Sequence, residues 1–491
     1  MKNFSQKNFS KGSILIQVIA FMTIGIIILS GFIGWGVMSV RMARHTEYRD
    51  QAIQIAEAGI DYYRWHLAHA PLDFQDGTAT SGPYLHTYND KQGNPLGMFT
   101  LSITPPPVGS TLVTVKSTGK VNADSTVSRT IQSKFAKPSL AKYAVVANSF
   151  MNFGPGTEIF GPIHSNGGIR FDGLAHNIVT SAVASFDDPT HSGASEFGVH
   201  THIAPVDPLP PSAVPSRVDV FQIGRTFPVP AVDFAGLTAN MAQIKADAQT
   251  GGAYYAASGA QGYHIILKTN GTFDIKKVNS LLPTPGGCSN VQAEANWGVW
   301  SINTAGGSET VIATGVAYPL NGLIFVEDNL WIDGQINGNR LTIAAATFPD
   351  SAATRKNIIV NSNLLYTYYD GTDVLSLMAQ NDIIAGLKSA DNEEIDGALI
   401  AQNGRTGRNY YAAACGAEYR RSSMTLYGMV GTYQQYGFAW SGATFGCPDG
   451  STRSSGYCTR NITYDANMLY GPPPSFPLTT SQYQIVSWDE L

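Results

Sequence analysis

The 491-residue sequence carries little charge. Asp, Glu, Lys and Arg make up 14% of it, where a typical globular protein has about a quarter. The formal net charge is −5, so nothing global favours a nucleic-acid-binding protein. Hydrophobic residues reach 43%, which excludes a disordered chain, and 50 Gly and 26 Pro indicate many turns. The composition favours a turn-rich β protein, and the length predicts more than one domain.

Cysteine is scarce. The sequence has four, Cys288, Cys415, Cys447 and Cys458, and no CxxC pair, so we predict no cysteine-ligated zinc site. An even number suits two disulfides in an exported protein, with unpaired thiols as the alternative. Cys447 and Cys458 flank a polar loop that one disulfide could close. Four cysteines allow three pairings, and the sequence leaves the choice open.

Short signatures of catalysis are missing as well. The sequence contains no GxSxG, HExxH, GxGxxG or Walker motif. Asp370 and Asp373 could be paired in a polysaccharide-cleaving site, but the sequence does not fix the distance between two carboxylates. We therefore predict that the protein is not an enzyme and has no catalytic residues.

The longest stretch without any charge runs from Ser13 to Val40 and is almost wholly apolar. As a helix it would span roughly 42 Å, more than the ~30 Å of a bilayer core requires. It is too long for the apolar region of a secretory signal peptide. Residues 1–12 contain three lysines and no acid, which favours a cytoplasmic N-terminus. We expect a leader at 1–12 and a single membrane-spanning helix at 13–40.

The helix is predicted to continue to residue 70, because no proline interrupts it before Pro71. Its second half is amphipathic, with polar and apolar stripes on opposite faces. The polar stripe consists of Asp50, Gln54, Glu57, Asp61 and Arg64. The apolar stripe consists of Ala52, Ile55, Ala56, Gly59, Ile60, Tyr63 and Leu67.

Two segments carry a resemblance to a known family. Residues 11–17, KGSILIQ, resemble the signal of type IV prepilins, and residues 56–60, AEAGI, resemble the PilX-like minor pilins. The resemblance implies that a prepilin peptidase cuts between Gly12 and Ser13 and that the helix then packs against other pilins. Major pilins have glutamate where this chain has Gln17, a residue that helps to dock the incoming subunit. Gln17 therefore favours a minor or tip subunit; an uncleaved membrane anchor is the alternative.

Residues 71–137 are predicted to form a small antiparallel sheet on the helix. The expected strands are Phe99–Thr104, Leu112–Lys116 and Val127–Phe135, which alternate with period two and are separated by turn residues. A helix packed on such a sheet buries the apolar face of both. This arrangement also matches the pilin plan that the resemblance implies.

Residues 138–491 are predicted to form a large β-rich extracytoplasmic domain with a helical insertion near 232–248. Short apolar runs such as Leu323–Val326 and Ile358–Val360 alternate with Gly and Asn turns. This texture favours a parallel β-solenoid or β-helix, with a β-sandwich as the alternative. The predicted fold class is α+β.

Three groups of residues could bind a ligand. His200 and His202 would point the same way on a strand and could hold a metal, with His164 or His191 nearby, but polar loop histidines are the favoured interpretation. Acidic clusters such as Asp187-Asp188 would suit calcium, but solvated acidic loops are the favoured interpretation. Four arginines lie among tyrosines and could contact DNA, but a solvated surface is favoured. They are Arg405, Arg408, Arg420 and Arg421. We predict no metal, no cofactor and no nucleic-acid partner.

These observations together predict a structural, minor-pilin-like component of a type IV pilus or related filament. It would reside in the inner membrane before assembly. It would then display its β domain at the cell surface or on the pilus, for adhesion or for pilus assembly. The alternative is a permanently anchored surface β-helix protein, either an adhesin or a carbohydrate-active one. The sequence does not identify the surface ligand.

Overall fold

The computed structural model describes residues 12–190, 192–288 and 297–491; the side chains of residues 12, 13 and 235–240 lie outside this description. The chain forms two compact units. The smaller unit contains the described residues up to Pro105, together with Val113–Phe135 and Tyr483–Leu491. The larger unit contains Pro106–Leu112 and the described residues of Ala136–Gln482. The predicted α+β class is confirmed, since one long helix is accompanied by a large, mainly-β remainder.

The described residues form two α-helices and 31 strands. The helices are α1, Gly12–His69, and α2, Ala235–Gly251. The strands before α2 are β1 Tyr84–Asn89, β2 Pro95–Thr104, β3 Val113–Val121, β4 Asp124–Ala136, β5 Val145–Ala147, β6 Met151–Phe153, β7 Thr157–Phe160, β8 Ile163–Ser165, β9 Ile169–Phe171, β10 Leu174–Ala175, β11 Val179–Ser181, β12 Ser185–Phe186, β13 Glu196–Phe197, β14 Val199–His200 and β15 Arg225–Thr226. The strands after α2 are β16 Ala253–Tyr255, β17 Gly262–Leu267, β18 Thr272–Val278, β19 Glu309–Ala317, β20 Leu323–Val326, β21 Leu330–Gln335, β22 Arg340–Ala345, β23 Ile358–Leu365, β24 Val374–Ala379, β25 Ile383–Ala385, β26 Asn392–Ala401, β27 Thr406–Arg408, β28 Arg420–Thr432, β29 Ala439–Gly446, β30 Thr452–Tyr464 and β31 Gln484–Glu490.

The smaller unit packs the second half of α1 on a five-stranded sheet of order β1-β2-β3-β4-β31. The predicted apolar stripe of α1 is buried, and the predicted polar stripe is exposed. The apolar stripe joins sheet residues such as Phe99, Leu101 and Val115 in one core. Gly119 lies so close to the helix that a Cβ there would be 2.1 Å from the carbonyl oxygen of Ala52. The absence of a side chain at Gly119 therefore sets how closely the helix approaches the sheet.

Two strands of this sheet differ from the sequence prediction. β1 lies in a segment that reads as a polar loop, and β31 comes from the end of the predicted domain 138–491. Ser133 Oγ donates to Ser487 O at 2.9 Å, and the Leu491 amide donates to Thr130 O at 2.9 Å. Pairing with β31 satisfies the outer edge of β4, which would otherwise present free backbone groups. The last residues of the chain therefore belong to the small sheet.

The larger unit is dominated by parallel strand pairing. One ladder runs through ten strands in the order β16, β20, β22, β24, β26, β28, β5, β8, β11 and β15. Its register aligns buried aliphatic residues from strand to strand. The aligned column is Ile324, Ile343, Leu377, Leu399, Val430, Val145, Ile163 and Val179. Each member adds one strand spacing of about 4.8 Å to a continuous apolar core.

Two further parallel ladders accompany the first. One runs through β17, β21, β23, β25 and β27, and the other runs through β23, β26, β28, β30, β7 and β10. β5 and β7, from the start of this unit, therefore pair with β28 and β30 from its end. Antiparallel pairing joins β17, β18 and β19, as well as β29 with β30 and β12 with β13.

The helix predicted near 232–248 is α2, three residues further along the chain. Its described apolar residues Met241, Ile244 and Ala248 are buried, and α2 contacts β16 and β20 at one end of the first ladder. The predicted core position Leu237 lies outside the described side chains. The helix therefore covers the end strands of the first ladder, β16 and β20, with an apolar face.

Candidate functional site

The first half of α1 presents apolar side chains on every side. Phe21 exposes 75% of its surface and Trp35 exposes 71%. The helix is long and apolar enough to cross a membrane, and none of its most apolar stretch is buried within the structure. Exposure of such surface to water costs about 25 cal/mol per Å². This half of α1 therefore requires lipid, or apolar helices of other chains, around it.

The predicted processing site lies at the beginning of α1. The helix begins at Gly12, while residues 1–11 and the side chains of Gly12 and Ser13 lie outside the described part of the chain. Gln17 is exposed, slightly more than one turn into the helix. Cleavage between Gly12 and Ser13 and a docking role for Gln17 stay predictions.

All four cysteines form disulfides, Cys288 with Cys415 and Cys447 with Cys458. The first joins positions 127 residues apart and lies in an apolar cluster with Tyr411. The second closes a loop between positions 11 residues apart. These cysteines therefore cross-link the larger unit and leave no free thiol as a ligand or nucleophile.

A cavity of about 640 Å³ opens in the larger unit, lined by polar and apolar residues from several strands and loops. The guanidinium of Arg405 lies 5.7 Å from the ring centroid of Trp440. Arg460 also lines the cavity, and burial lowers its pKa to about 10, assisted by the neighbouring charge of Arg453. Its guanidinium donates to the carbonyl oxygens of Pro155 and Cys458, each at 2.7 Å. The Arg460 charge is thus held mainly by main-chain carbonyls.

The arginines that the sequence singled out do not form one basic surface. Arg408 is fully buried and donates to Ser389 Oγ at 3.0 Å and to Leu387 O at 3.1 Å. Arg420 is exposed, whereas Arg405 lines the cavity beside Trp440. The structure therefore divides this stretch among core, cavity and surface.

Four potential metal ligands converge in the larger unit: Asp188, Glu196, His200 and His202. One ligand atom from each lies within 4.8 Å of those of all the others. His200 Nε2 is 2.6 Å from one Glu196 oxygen, and His202 Nε2 is 2.7 Å from the other. His200 Nε2 is also 3.7 Å from Asp188 Oδ2. We call these four residues the His–carboxylate cluster.

Three short strands and the loop between two of them position the cluster. Asp188 follows β12, Glu196 begins β13, His200 ends β14 and His202 lies two residues beyond. Gly198 lies between β13 and β14, and a Cβ there would be 1.9 Å from the carbonyl oxygen of Val183. Only glycine permits so close an approach of the two backbone segments. The hairpin of β12 and β13 is thereby folded back beside β14, which pairs in parallel with β9.

The surroundings of the cluster hold its members in place. His200 Nδ1 lies 3.2 Å from Phe197 O, an atom that can only accept, so this nitrogen is the donor. Asp172 accepts the His202 amide at 2.7 Å, and Arg170 donates to Asp172 at 2.7 Å. Burial lowers the pKa of His200, against the opposing effect of the Glu196 carboxylate. With Nδ1 donating to Phe197 O, the other ring nitrogen of His200, Nε2, faces the cluster.

Sequence reasoning identified the histidine pair and, separately, Asp188, but it missed Glu196 and did not join the carboxylates to the histidines. Glu196 lies four residues before His200, a spacing that has meaning only when β13 and β14 are known to be separate strands. Asp188 belongs to the predicted acidic pair, of which Asp187 is exposed and Asp188 is buried. His164 lies elsewhere, bonded to Thr180 and Asn166, and His191 lies outside the described residues.

Asp370 and Asp373, considered above as a carboxylate pair, differ in their surroundings. Asp370 is exposed, whereas Asp373 is fully buried. Asp373 accepts backbone amides of Asn339, Thr367 and Tyr368 at 2.8–2.9 Å. Asp373 is thus occupied in holding turns of the backbone together.

These features define an α+β protein with one N-terminal apolar helix that can anchor in a membrane. No protein-family model matches the chain, and no curated protein matches it. Among solved structures it is similar to the crystal structure of the competence-associated pilin ComZ from Thermus thermophilus. The two are 14% identical, the match covers 90% of this chain and 98% of that one, and the TM-score is 0.28. A TM-score this low establishes neither the fold nor the function of this chain.

Proposed function

We propose that the protein is a minor, pilin-like subunit of a type IV pilus or related filament. The observation that carries the proposal is α1, a single helix with two different surfaces. Its first half is apolar and exposed all round, and its second half is packed on an antiparallel sheet. A helix of this kind can leave lipid only by entering a bundle of similar helices. A filament core supplies such a bundle without exposing the helix to water.

The start of α1 supports a minor position in the filament. Processing between Gly12 and Ser13 would leave Ser13 as the new N-terminus, close to Gln17 on the same helix. Gln17 can accept a hydrogen bond from an amine but brings no negative charge to it. The resemblance to PilX-like minor pilins in residues 56–60 points the same way. We therefore assign the chain to a minor or tip subunit.

The larger unit is, in this proposal, a passenger displayed for adhesion or for pilus assembly. Its parallel ladders, with aliphatic residues aligned from strand to strand, support a parallel β-solenoid. A β-sandwich would instead be built from antiparallel sheets. The two disulfides support display outside the cytoplasm, where thiols are oxidised. We propose a structural and binding role, and no catalytic one.

Sequencing of the mature N-terminus tests the proposal. In a strain with active prepilin peptidase we expect the mature chain to begin at Ser13, and we expect Gly12→Ala to block this cleavage. Gly25→Ala is the matched control, because no atom outside the helix backbone lies within 4 Å of a Cβ at Gly25 among the described residues. An uncleaved wild-type chain in that strain would refute processing.

Immunogold labelling of sheared filaments tests assembly separately. We expect sparse or terminal labelling with wild type and none with Gly12→Ala. A processed chain that stays wholly in the membrane fraction would refute the filament role. That result would favour the alternative of a permanently anchored surface protein.

A further inference from the structure

The His–carboxylate cluster brings two imidazoles and two carboxylates to one point inside the larger unit. Asp188, Glu196 and His200 are buried, exposing 3%, 6% and 1% of their surfaces. Buried carboxylates are costly unless they are paired with a cation or bound to a metal. Arg170 is a nearby cation, but its Nη1 lies 3.7 Å from Asp188 Oδ2, beyond hydrogen-bond distance. Asp188 is therefore ion-paired with Arg170 but receives no hydrogen bond from it.

A backbone carbonyl orients the imidazole ring of His200 in the cluster. Since His200 Nδ1 donates to Phe197 O, the other ring nitrogen, Nε2, faces Glu196. His200 Nε2 lies 2.6 Å from a Glu196 oxygen, a distance that requires a proton or a cation between the two atoms. In the described part of the chain, His200 Nε2 and Asp188 Oδ2 are buried without a hydrogen bond of acceptable geometry. Both atoms point into the cluster.

The geometry points to a binding site for one divalent transition-metal ion of the zinc type, held by Glu196, His200 and His202, with Asp188 as fourth ligand. Tetrahedral zinc with bonds of about 2.0–2.1 Å has ligand atoms about 3.3 Å apart. The separations of 2.6, 2.7 and 3.7 Å bracket this value. Imidazole nitrogens favour zinc-type ions over calcium and magnesium, which prefer oxygen ligands throughout.

The contacts around the ligands are those that metal-binding histidines need. A metal-bound imidazole normally donates its other N–H to a carbonyl or carboxylate, as His200 does to Phe197 O. Asp172 fixes the backbone of His202 through its amide. Asp188 keeps one oxygen on the Thr190 amide at 2.9 Å and turns the other towards the cluster. A bound ion would thus join the β12–β13 hairpin to β14.

Metal binding can be measured on the full chain, purified in detergent micelles with a tag that contains no histidine. The protein is stripped with a chelator and titrated with Zn²⁺ and, separately, with Ca²⁺, and bound metal is counted by mass spectrometry. We expect one tightly held Zn²⁺ per chain and no comparable Ca²⁺ binding. Absence of stoichiometric Zn²⁺ binding to the wild type would overturn the inference, whatever the variants do.

Variants locate the site. His202→Ala and the nearly isosteric Glu196→Gln should each weaken Zn²⁺ binding at least about tenfold. Mutation of a residue that only hydrogen-bonds to a metal ligand already lowers metal affinity by about that factor. His176→Ala is the control, because His176 pairs with Glu158 at 3.2 Å on the surface and belongs to no cluster identified among the described residues. Circular dichroism confirms folding of each variant. Unchanged Zn²⁺ affinity in folded His202→Ala or Glu196→Gln would place the metal elsewhere and refute the site.

Discussion

Glu393→Gln should change how the stability of the larger unit depends on pH. Glu393 is fully buried in β26, and one carboxylate oxygen accepts from the Tyr457 hydroxyl. The other oxygen has no hydrogen-bond partner among the residues that the structure describes. Burial raises the pKa of Glu393 from 4.5 to about 7, against the opposing effects of the Tyr457 hydrogen bond and the Arg408 charge.

The sign of the effect follows from where the proton is held. Between pH 4.5 and about 7 the folded chain keeps the Glu393 proton while the unfolded chain has lost it. The free energy of unfolding therefore falls as the pH rises through this window, and it is level on either side. A shift of about 2.5 pKa units at 1.36 kcal/mol each amounts to roughly 3 kcal/mol. Glutamine stays neutral in both states, so the variant should lose this part of the pH dependence.

Urea unfolding in detergent, followed by tryptophan fluorescence from pH 4 to pH 8, measures the effect. The free energy of unfolding of Glu393→Gln minus that of wild type should rise by roughly 3 kcal/mol from the acid to the basic end. The raised pKa of Asp396, about 6, is present in both proteins and largely cancels in the difference. Glu394→Gln, at the exposed neighbouring position on β26, is the control. A difference that stays flat across the pH range would refute a raised pKa at Glu393.

Two further predictions concern close packing and covalent cross-links. Gly119→Ala should destabilise the smaller unit by about 1–3 kcal/mol or more, because the new methyl group would clash with Ala52 O. The assay is thermal melting, with Gly25→Ala as the control because the space around Gly25 is open. Equal melting temperatures of the two variants would contradict the prediction. Cys447→Ser should cost about 3 kcal/mol and Cys288→Ser about 5 kcal/mol, since the Cys288–Cys415 disulfide closes the longer loop. Denaturant midpoints rank the two, and a smaller loss for Cys288→Ser would argue against loop closure as the cause.

The features predictable from sequence are those encoded by neighbouring residues. The helix over residues 13–70, its polar and apolar stripes and its end near Pro71 all follow from local periodicity, and the structure has α1 at Gly12–His69. Leu323–Val326 is a four-residue apolar run, and it is β20 with the same bounds. Local patterns suffice here because each element is determined by its own face or its own turn residues.

The features that could not be predicted depend on pairing between distant residues. β31 pairs with the edge of β4, yet residues 482–491 contain no turn signal that assigns them to the small sheet. The pairing of β5 with β28 joins residues almost 300 positions apart, and no repeat of fixed length indicates it. The carboxylates of the His–carboxylate cluster likewise meet the histidines only after β12, β13 and β14 have folded together. The spacing of residues along the sequence does not reveal which distant strands pair or in what register.

The order of strands in the first ladder makes folding of the larger unit a non-local process. β28 lies between β26, which precedes it in sequence, and β5, which comes from the beginning of the unit. β30 similarly joins β28 to β7. β5, β8, β11 and β15 can pair with one another, but β5 and β7 join the rest of the ladders only through β28 and β30. Closing so long a loop carries an entropic cost. Contacts of this separation slow folding, so we expect the β5–β28 and β7–β30 pairings to form late. Both ends of the unit consequently meet in the middle of its core, where Val430 lies beside Val145, rather than at an end of the stack.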